Sequence, residues 1–74
     1  MFQEFIIEEF IKTRKKMGMS QRELAQRCGL PQSTIGRIEA GLVVPNVLTL
    51  AKMADALQLE ISVRPKDLPA GGAY

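Results

Sequence analysis

The segment from residue 20 to residue 41 constrains the fold most, because it predicts two short helices joined by a tight turn. Ser20 with Glu23 three residues later forms a capping box, a pattern that begins a helix. Gly29 suits the left-handed end of that helix, and Pro31 suits the first turn of the next, which Gly41 ends. The predicted inner side of the segment consists of Leu24, Ala25, Cys28, Leu30, Ile35 and Ile38.

Helices are also predicted on both sides of this segment. The core face expected for a first helix over residues 2–17 is Phe2, Ile6, Phe10, Thr13 and Met17. Ile7 and Ile11 lie about a quarter turn away and widen the apolar arc beyond what one small core needs. Asn46 caps a fourth helix that runs to about Leu57 and is apolar on most sides. The chain therefore predicts an all-α fold of four to five short helices.

Residues 59–64 change to a period of two, which is typical of a half-buried strand. Leu59, Ile61 and Val63 alternate with polar residues, and no second strand-like segment is present to pair with them. The simplest partner is the same strand of a second copy, antiparallel across a twofold axis. The surplus Ile7 and Ile11 also favour a homodimer. We expect residues 1–64 to form one domain, with its dimerising strand at 59–64, and residues 65–74 to be a flexible tail.

Composition excludes several classes of function. The 74 residues include no histidine and a single cysteine, Cys28, so neither a disulfide nor a Cys/His zinc site is expected. Activation of a serine nucleophile by histidine is excluded as well, and we expect no enzyme, cofactor or metal. Without a long apolar run or a signal peptide, a cytoplasmic protein with no membrane partner is expected. Cys28 is expected to be a buried apolar residue rather than a redox sensor.

Charge is unevenly distributed along the chain, although the net charge is only +2. Residues 1–10 carry three Glu and no Lys or Arg, whereas residues 11–37 carry seven Lys or Arg and one Glu. The remaining residues carry three Lys or Arg and four Asp or Glu. A basic half indicates either a polyanionic partner or solvated helix surfaces, and charge alone does not separate the two.

The outward side of the predicted third helix is suited to the major groove of DNA. It consists of Gln32, Ser33, Gly36, Arg37 and Ala40, within about 140° of arc. Gln pairs bidentately with adenine, Arg pairs with guanine, and Ser pairs with either. Gly36 indicates either a close approach of the backbone to DNA or tolerance of glycine at a surface position.

Residues 20–29, SQRELAQRCG, followed by residues 31–41, PQSTIGRIEAG, resemble the Cro/phage-repressor (Xre-type) helix-turn-helix family. The resemblance covers about residues 8–58 and includes Arg14, Pro45 and the fourth helix. It implies a lambda-repressor-like fold whose helix over residues 31–40 enters the major groove, in a homodimer that reads an inverted repeat of double-stranded DNA. Carried over by position, the implied contacts are Gln32, Ser33 and Arg37 to bases, and Gln21, Thr34 and Asn46 to phosphates. Arg14 is implied to form an ion pair with Glu39, with a phosphate-facing Arg14 as the alternative.

The resemblance implies a transcriptional regulator, in particular a repressor. A strand after the fourth helix is also similar to the HipB-like antitoxins, which implies a toxin protein as a further partner. Two departures from the pattern are the connector Leu42-Val43-Val44, which lacks Lys and Arg, and glycine at Gly36. The uncharged connector leaves open an alternative, a protein-interaction adaptor on the same fold that does not read DNA.

Overall fold

A computed structural model of the chain describes residues 2–62, and these form four α-helices without a strand. The helices are α1 (Phe2–Lys16), α2 (Gln21–Cys28), α3 (Gln32–Glu39) and α4 (Val47–Ala56). α2 packs against both α3 and α4, while α1 packs against α3. The expected all-α helix-turn-helix architecture is thereby confirmed. In the described part of the chain, no helix has both the length and the apolar character to span a bilayer.

The boundaries of α2 follow from local hydrogen bonds. Ser20 Oγ accepts from the N–H of Glu23 at 3.0 Å, and Glu23 Oε1 accepts from the N–H of Ser20 at 3.0 Å. The latter bond holds the pKa of the Glu23 carboxyl below its usual value. Gly29 ends the helix with φ 70°, a conformation that costs other residues strain. The predicted capping box and glycine turn are therefore present.

The core lies between α2, α3 and α4, with α1 closing one side. Leu24, Ile35, Ile38, Met53 and Leu57 have the largest fully buried side chains. Because Ile35 and Ile38 are three residues apart on α3, they lie on one face of that helix. Their burial fixes which side of α3 faces solvent.

The buried face of α1 differs from the predicted one. Ile7, Phe10 and Arg14 are buried, whereas Met17 is 41% exposed. The prediction chose this face by periodicity alone, which placed Thr13 and Met17 on it in place of Ile7 and Arg14. Ile7 belongs to the core and Ile11 packs against it, so these two side chains are not surplus and give no support to a dimer.

The predicted strand is not formed within the described residues. Residues 59–62 have no regular secondary structure, and the chain turns at Gln58 with φ 59°. The N–H of Leu59 donates to the carbonyl of Ala54 at 2.8 Å, and its side chain packs against the core. Val63 and the predicted tail over 65–74 lie outside the described residues. Pairing of 59–64 between two copies stays a prediction.

Candidate nucleic-acid interface

α3 has one buried side and one polar, solvent-facing side. Gln32, Ser33 and Arg37 are exposed, while Ile35 and Ile38 are buried beneath them. Within residues 2–62, no hydrogen bond or ion pair engages the three exposed side chains. Their donors and acceptors are therefore free for an external partner, and Arg37 carries a full positive charge.

The beginning of α3 adds backbone donors to this surface. Pro31 caps the helix with φ −63° and ψ 144°, and it offers no side-chain hydrogen bond to the first turn. The first N–H groups of a helix have no partner inside it, and the helix dipole places partial positive charge there. Ser33 and the half-buried Thr34 lie in that turn, where an anionic group is favoured.

A buried ion pair joins α1 to the end of α3. Arg14 donates from Nε to Glu39 Oε2 at 2.8 Å and from Nη2 to Glu39 Oε1 at 2.9 Å. Nη1 of Arg14 donates to the carbonyl of Met19 at 2.9 Å. Because every guanidinium nitrogen is engaged inside the protein, this geometry favours the ion pair over a phosphate-facing Arg14. The side chains are 10% and 6% exposed.

The side chain of Gln21 also belongs to this hydrogen-bond network. The sequence analysis did not predict this contact. Its Nε2 donates to Glu39 Oε1 at 2.9 Å, and its Oε1 lies 3.7 Å from where a Cβ on Gly36 would be. The start of α2 is therefore held beside the middle of the outward side of α3. No spacing in the sequence indicates this contact, since Gln21 and Glu39 are 18 residues apart.

Asn46 is exposed at the start of α4, two residues after the end of the connector Leu42-Val43-Val44. Its Oδ1 accepts from the N–H of Thr49 at 2.8 Å, so the predicted helix cap is present and the side-chain NH₂ group stays available. The preceding connector presents exposed apolar side chains, Leu42, Val43 and Val44, instead of the basic residues that would bind phosphate.

Cys28 lies on the buried side of α2. Its Sγ is 3.8 Å from the carbonyl oxygen of Lys52, and burial raises the pKa of the thiol. Cys28 packs as a small apolar residue of the core, and a raised pKa lowers its thiolate fraction. Over residues 2–62, no group of three or more acidic, Cys or His side chains is arranged to hold a metal ion.

Comparison with protein families identifies this arrangement. A family model described as helix-turn-helix matches residues 11–63, which is more than half of the chain. The chain belongs to this helix-turn-helix family. Its α2 and α3 are the two helices of the motif, joined by the turn at Gly29, and the resemblance noted in the sequence is confirmed.

Three proteins of similar sequence illustrate the relatives of this chain. An uncharacterized HTH-type transcriptional regulator of Sinorhizobium fredii is 45% identical over 65 residues, covering 88% of this chain and 33% of that protein. One of Haemophilus influenzae is 37% identical over 60 residues, covering 81% and 61%. Multiprotein-bridging factor 1 of Eremothecium gossypii is 38% identical over 61 residues, covering 82% and 40%. The chain thus spans less than two thirds of each of these relatives.

Proposed function

We propose that this chain is a sequence-specific, DNA-binding transcriptional regulator, which acts as a homodimer on an inverted repeat of double-stranded DNA. The observation that supports this proposal is the division of α3, where Gln32, Ser33 and Arg37 are exposed above a buried apolar side. A major groove admits one α-helix and presents distinct donor and acceptor patterns to such side chains. Occupation of a promoter by the dimer would make the protein a repressor.

The base contacts are assigned to the exposed side chains of α3 and the phosphate contacts to residues around it. In this proposal Gln32 reads adenine, Arg37 reads guanine, and Ser33 contacts either base. Gln21 keeps one amide hydrogen and Asn46 keeps both after their internal bonds, so each can donate to a phosphate oxygen. Thr34 adds a hydroxyl beside the first turn of α3.

The decisive measurement is a footprint on the DNA upstream of the gene, followed by site selection with Arg37→Ala. We expect Arg37→Ala to weaken specific binding by about 1–3 kcal/mol and to relax the preference at one base pair. Lys12→Ala is the matched control, because it also removes one positive charge from an exposed side chain. Lys12 lies on α1, and its Nζ makes only a 3.8 Å contact with Glu9 Oε1. An unchanged base preference in Arg37→Ala would contradict the assignment of this residue.

An adaptor that binds protein without reading DNA is the second candidate. The exposed, uncharged connector favours it, and one relative is named multiprotein-bridging factor 1. The two functions differ in their response to salt. Specific DNA binding weakens steeply with salt because phosphate contacts release counterions, and it exceeds binding to random duplex. Equal affinity for upstream and random DNA would favour the adaptor.

A narrower form of the regulator is an antitoxin that represses its own operon and holds a toxin through another surface. The period of two from Leu59 to Arg64, which resembles the terminal strand of HipB-like antitoxins, supports it. Co-purification of the chain with the product of the adjacent gene tests this form. If the chain is recovered alone and still binds its operator, the antitoxin form is contradicted and a regulator without a toxin partner remains.

A further inference from the structure

The hydrogen bond from Gln21 to Glu39 fixes the orientation of the Gln21 amide. The Glu39 carboxylate has no hydrogen to donate, so it binds the Nε2 end of the amide, at 2.9 Å, and leaves the carbonyl oxygen Oε1 at the other end. Both carboxylate oxygens also accept from Arg14, which holds the carboxylate in place. Turning the amide over would set its oxygen against the carboxylate. Gln21 therefore presents a fixed hydrogen-bond acceptor on its side away from Glu39.

This acceptor lies against the outward side of α3. Gln21 Oε1 is 3.7 Å from where a Cβ on Gly36 would be, so it lies beside the place where a side chain at that position would begin. At about 100° per residue, Gly36 lies between Gln32 and Ser33 around the helix. Glycine thus leaves a gap between two exposed side chains, and an oxygen that belongs to α2 lines this gap.

No donor within the described residues satisfies this acceptor. Over residues 2–62, no N–H or O–H group donates to Gln21 Oε1. In the same part of the chain, every buried side-chain nitrogen or oxygen has a hydrogen-bond partner, so Oε1 must be reached by solvent instead. Bound DNA would remove that solvent from the outward side of α3. An acceptor covered without a donor lowers affinity, so the DNA must supply the donor.

Few groups of DNA can donate a hydrogen bond to Gln21 Oε1. Phosphate oxygens are acceptors, so only the remaining hydrogen on Nε2 can serve them. In the major groove, the donors are the exocyclic amino groups N4 of cytosine and N6 of adenine, whereas guanine and thymine present acceptors. We propose that Gln21 is a specificity-determining residue whose Oε1 accepts from the amino group of the base that faces Gly36. This inference rests on the proposed function and adds one base contact from α2 to those from α3.

The first test is site selection from a random duplex library with the full chain and with Gln21→Met. Methionine has similar length but no amide, and the bonds between Arg14 and Glu39 do not involve Gln21. We expect the wild type to select adenine or cytosine on one strand at a position where Gln21→Met accepts any base. Gln26→Met, an exposed glutamine on the same helix, is the matched control and should select the wild-type site. Far-UV circular dichroism establishes that each variant keeps its helices.

The second test removes the amino group from the DNA instead of the acceptor from the protein. A selected adenine is replaced by purine, or a selected cytosine by pyrimidinone, and binding is measured by titration. We expect the wild type to lose about fivefold in affinity, the value of one hydrogen bond, and Gln21→Met to lose nothing further. Any weakening of the duplex itself affects both proteins alike, so the difference between them reports the contact.

Two results would overturn the inference. One is a Gln21→Met variant that keeps every base preference of the wild type, whether or not it binds all duplexes more weakly, since Gln21 would then contact phosphate at most. The other is a wild-type chain that binds equally well after the amino group is removed. Either result leaves the proposed regulator intact, because a site is still selected. A wild-type chain that binds all duplexes equally would instead refute the proposed function itself.

Discussion

Breaking the ion pair between Arg14 and Glu39 should lower the free energy of unfolding more than substitution of any exposed charged side chain. We consider three variants: Arg14→Met, Glu39→Met and the double variant. Arg14→Met leaves the Glu39 carboxylate with only the side-chain Nε2 of Gln21 as a donor, and Glu39→Met leaves three guanidinium nitrogens with only the carbonyl of Met19. Each single variant therefore leaves one buried charge without its oppositely charged partner.

The magnitude follows from the burial of the pair. Removing one partner of a buried pair costs roughly 3–5 kcal/mol, because the remaining charge is uncompensated. With side chains 10% and 6% exposed, this pair retains a little access to water, so we expect about 3 kcal/mol for each single variant. A small domain has a free energy of unfolding near the lower end of the usual range, roughly 5 kcal/mol. Either variant should thus lose more than half of it.

The double variant distinguishes this reasoning from simple loss of contacts. In the double variant, two methionines fill a similar volume and no buried charge is left without a partner. Replacing a buried ion pair with apolar residues in this way often changes the free energy of unfolding little. We expect the double variant to be more stable than either single variant. Urea unfolding followed by far-UV circular dichroism gives the free energies, since the chain has no tryptophan for fluorescence.

Lys12→Met provides the matched control for this cycle. Lys12 lies 3.8 Å from Glu9, with side chains 72% and 50% exposed, and such surface pairs contribute little. Its free energy of unfolding should equal that of the wild type within about 0.5 kcal/mol. If the losses of Arg14→Met and Glu39→Met simply add in the double variant, the argument from a stranded charge is wrong.

Three further substitutions probe the helices that carry the interface. Gly36→Ala should raise the free energy of unfolding by about 1 kcal/mol, because alanine favours a helix interior and its Cβ would meet Gln21 Oε1 at an ordinary 3.7 Å; a lower thermal midpoint would show that this space is closed. Ser20→Ala should lower the free energy of unfolding by about 1 kcal/mol through loss of the cap. The pKa of the Glu23 carboxyl is lowered in the folded state. Its hydrogen bond from the N–H of Ser20 therefore stabilises the fold above the usual carboxyl pKa, and this stability is lost as pH falls through the folded pKa. Thermal melts across acid pH should therefore show a smaller acid loss in Glu23→Gln, which keeps an acceptor for the N–H of Ser20 but has no carboxyl to titrate, and an identical pH profile would contradict this cause.

The helix boundaries could be predicted from the sequence because the groups that set them are close in the chain. Ser20 and Glu23 cap each other within one turn, Gly29 supplies its own left-handed conformation, and Asn46 caps its own helix. The inward and outward sides of α3 could be predicted for the same reason, since apolar spacing along one helix is a local property.

The errors concern contacts between distant parts of the chain. Arg14 is buried because Glu39, 25 residues away, accepts its hydrogen bonds; the family resemblance implied this pair, but no pattern within α1 placed Arg14 on the buried face. A period of two also does not decide whether a strand finds a partner, and Leu59 bonds to α4 of its own chain instead. The hydrogen bond from Gln21 to Glu39 likewise depends on how α2 and α3 pack.

The attachment of α3 leaves its outer positions open to variation. The helix is held by Ile35, Ile38 and Glu39, while no hydrogen bond or ion pair within residues 2–62 engages the side chains of Gln32, Ser33 and Arg37. These three positions can therefore be randomised together at little cost to folding, since surface substitutions of this kind rarely change stability by more than about 0.5 kcal/mol. Under the proposed function, a library built at these positions is expected to yield variants that bind new operators while the scaffold stays unchanged.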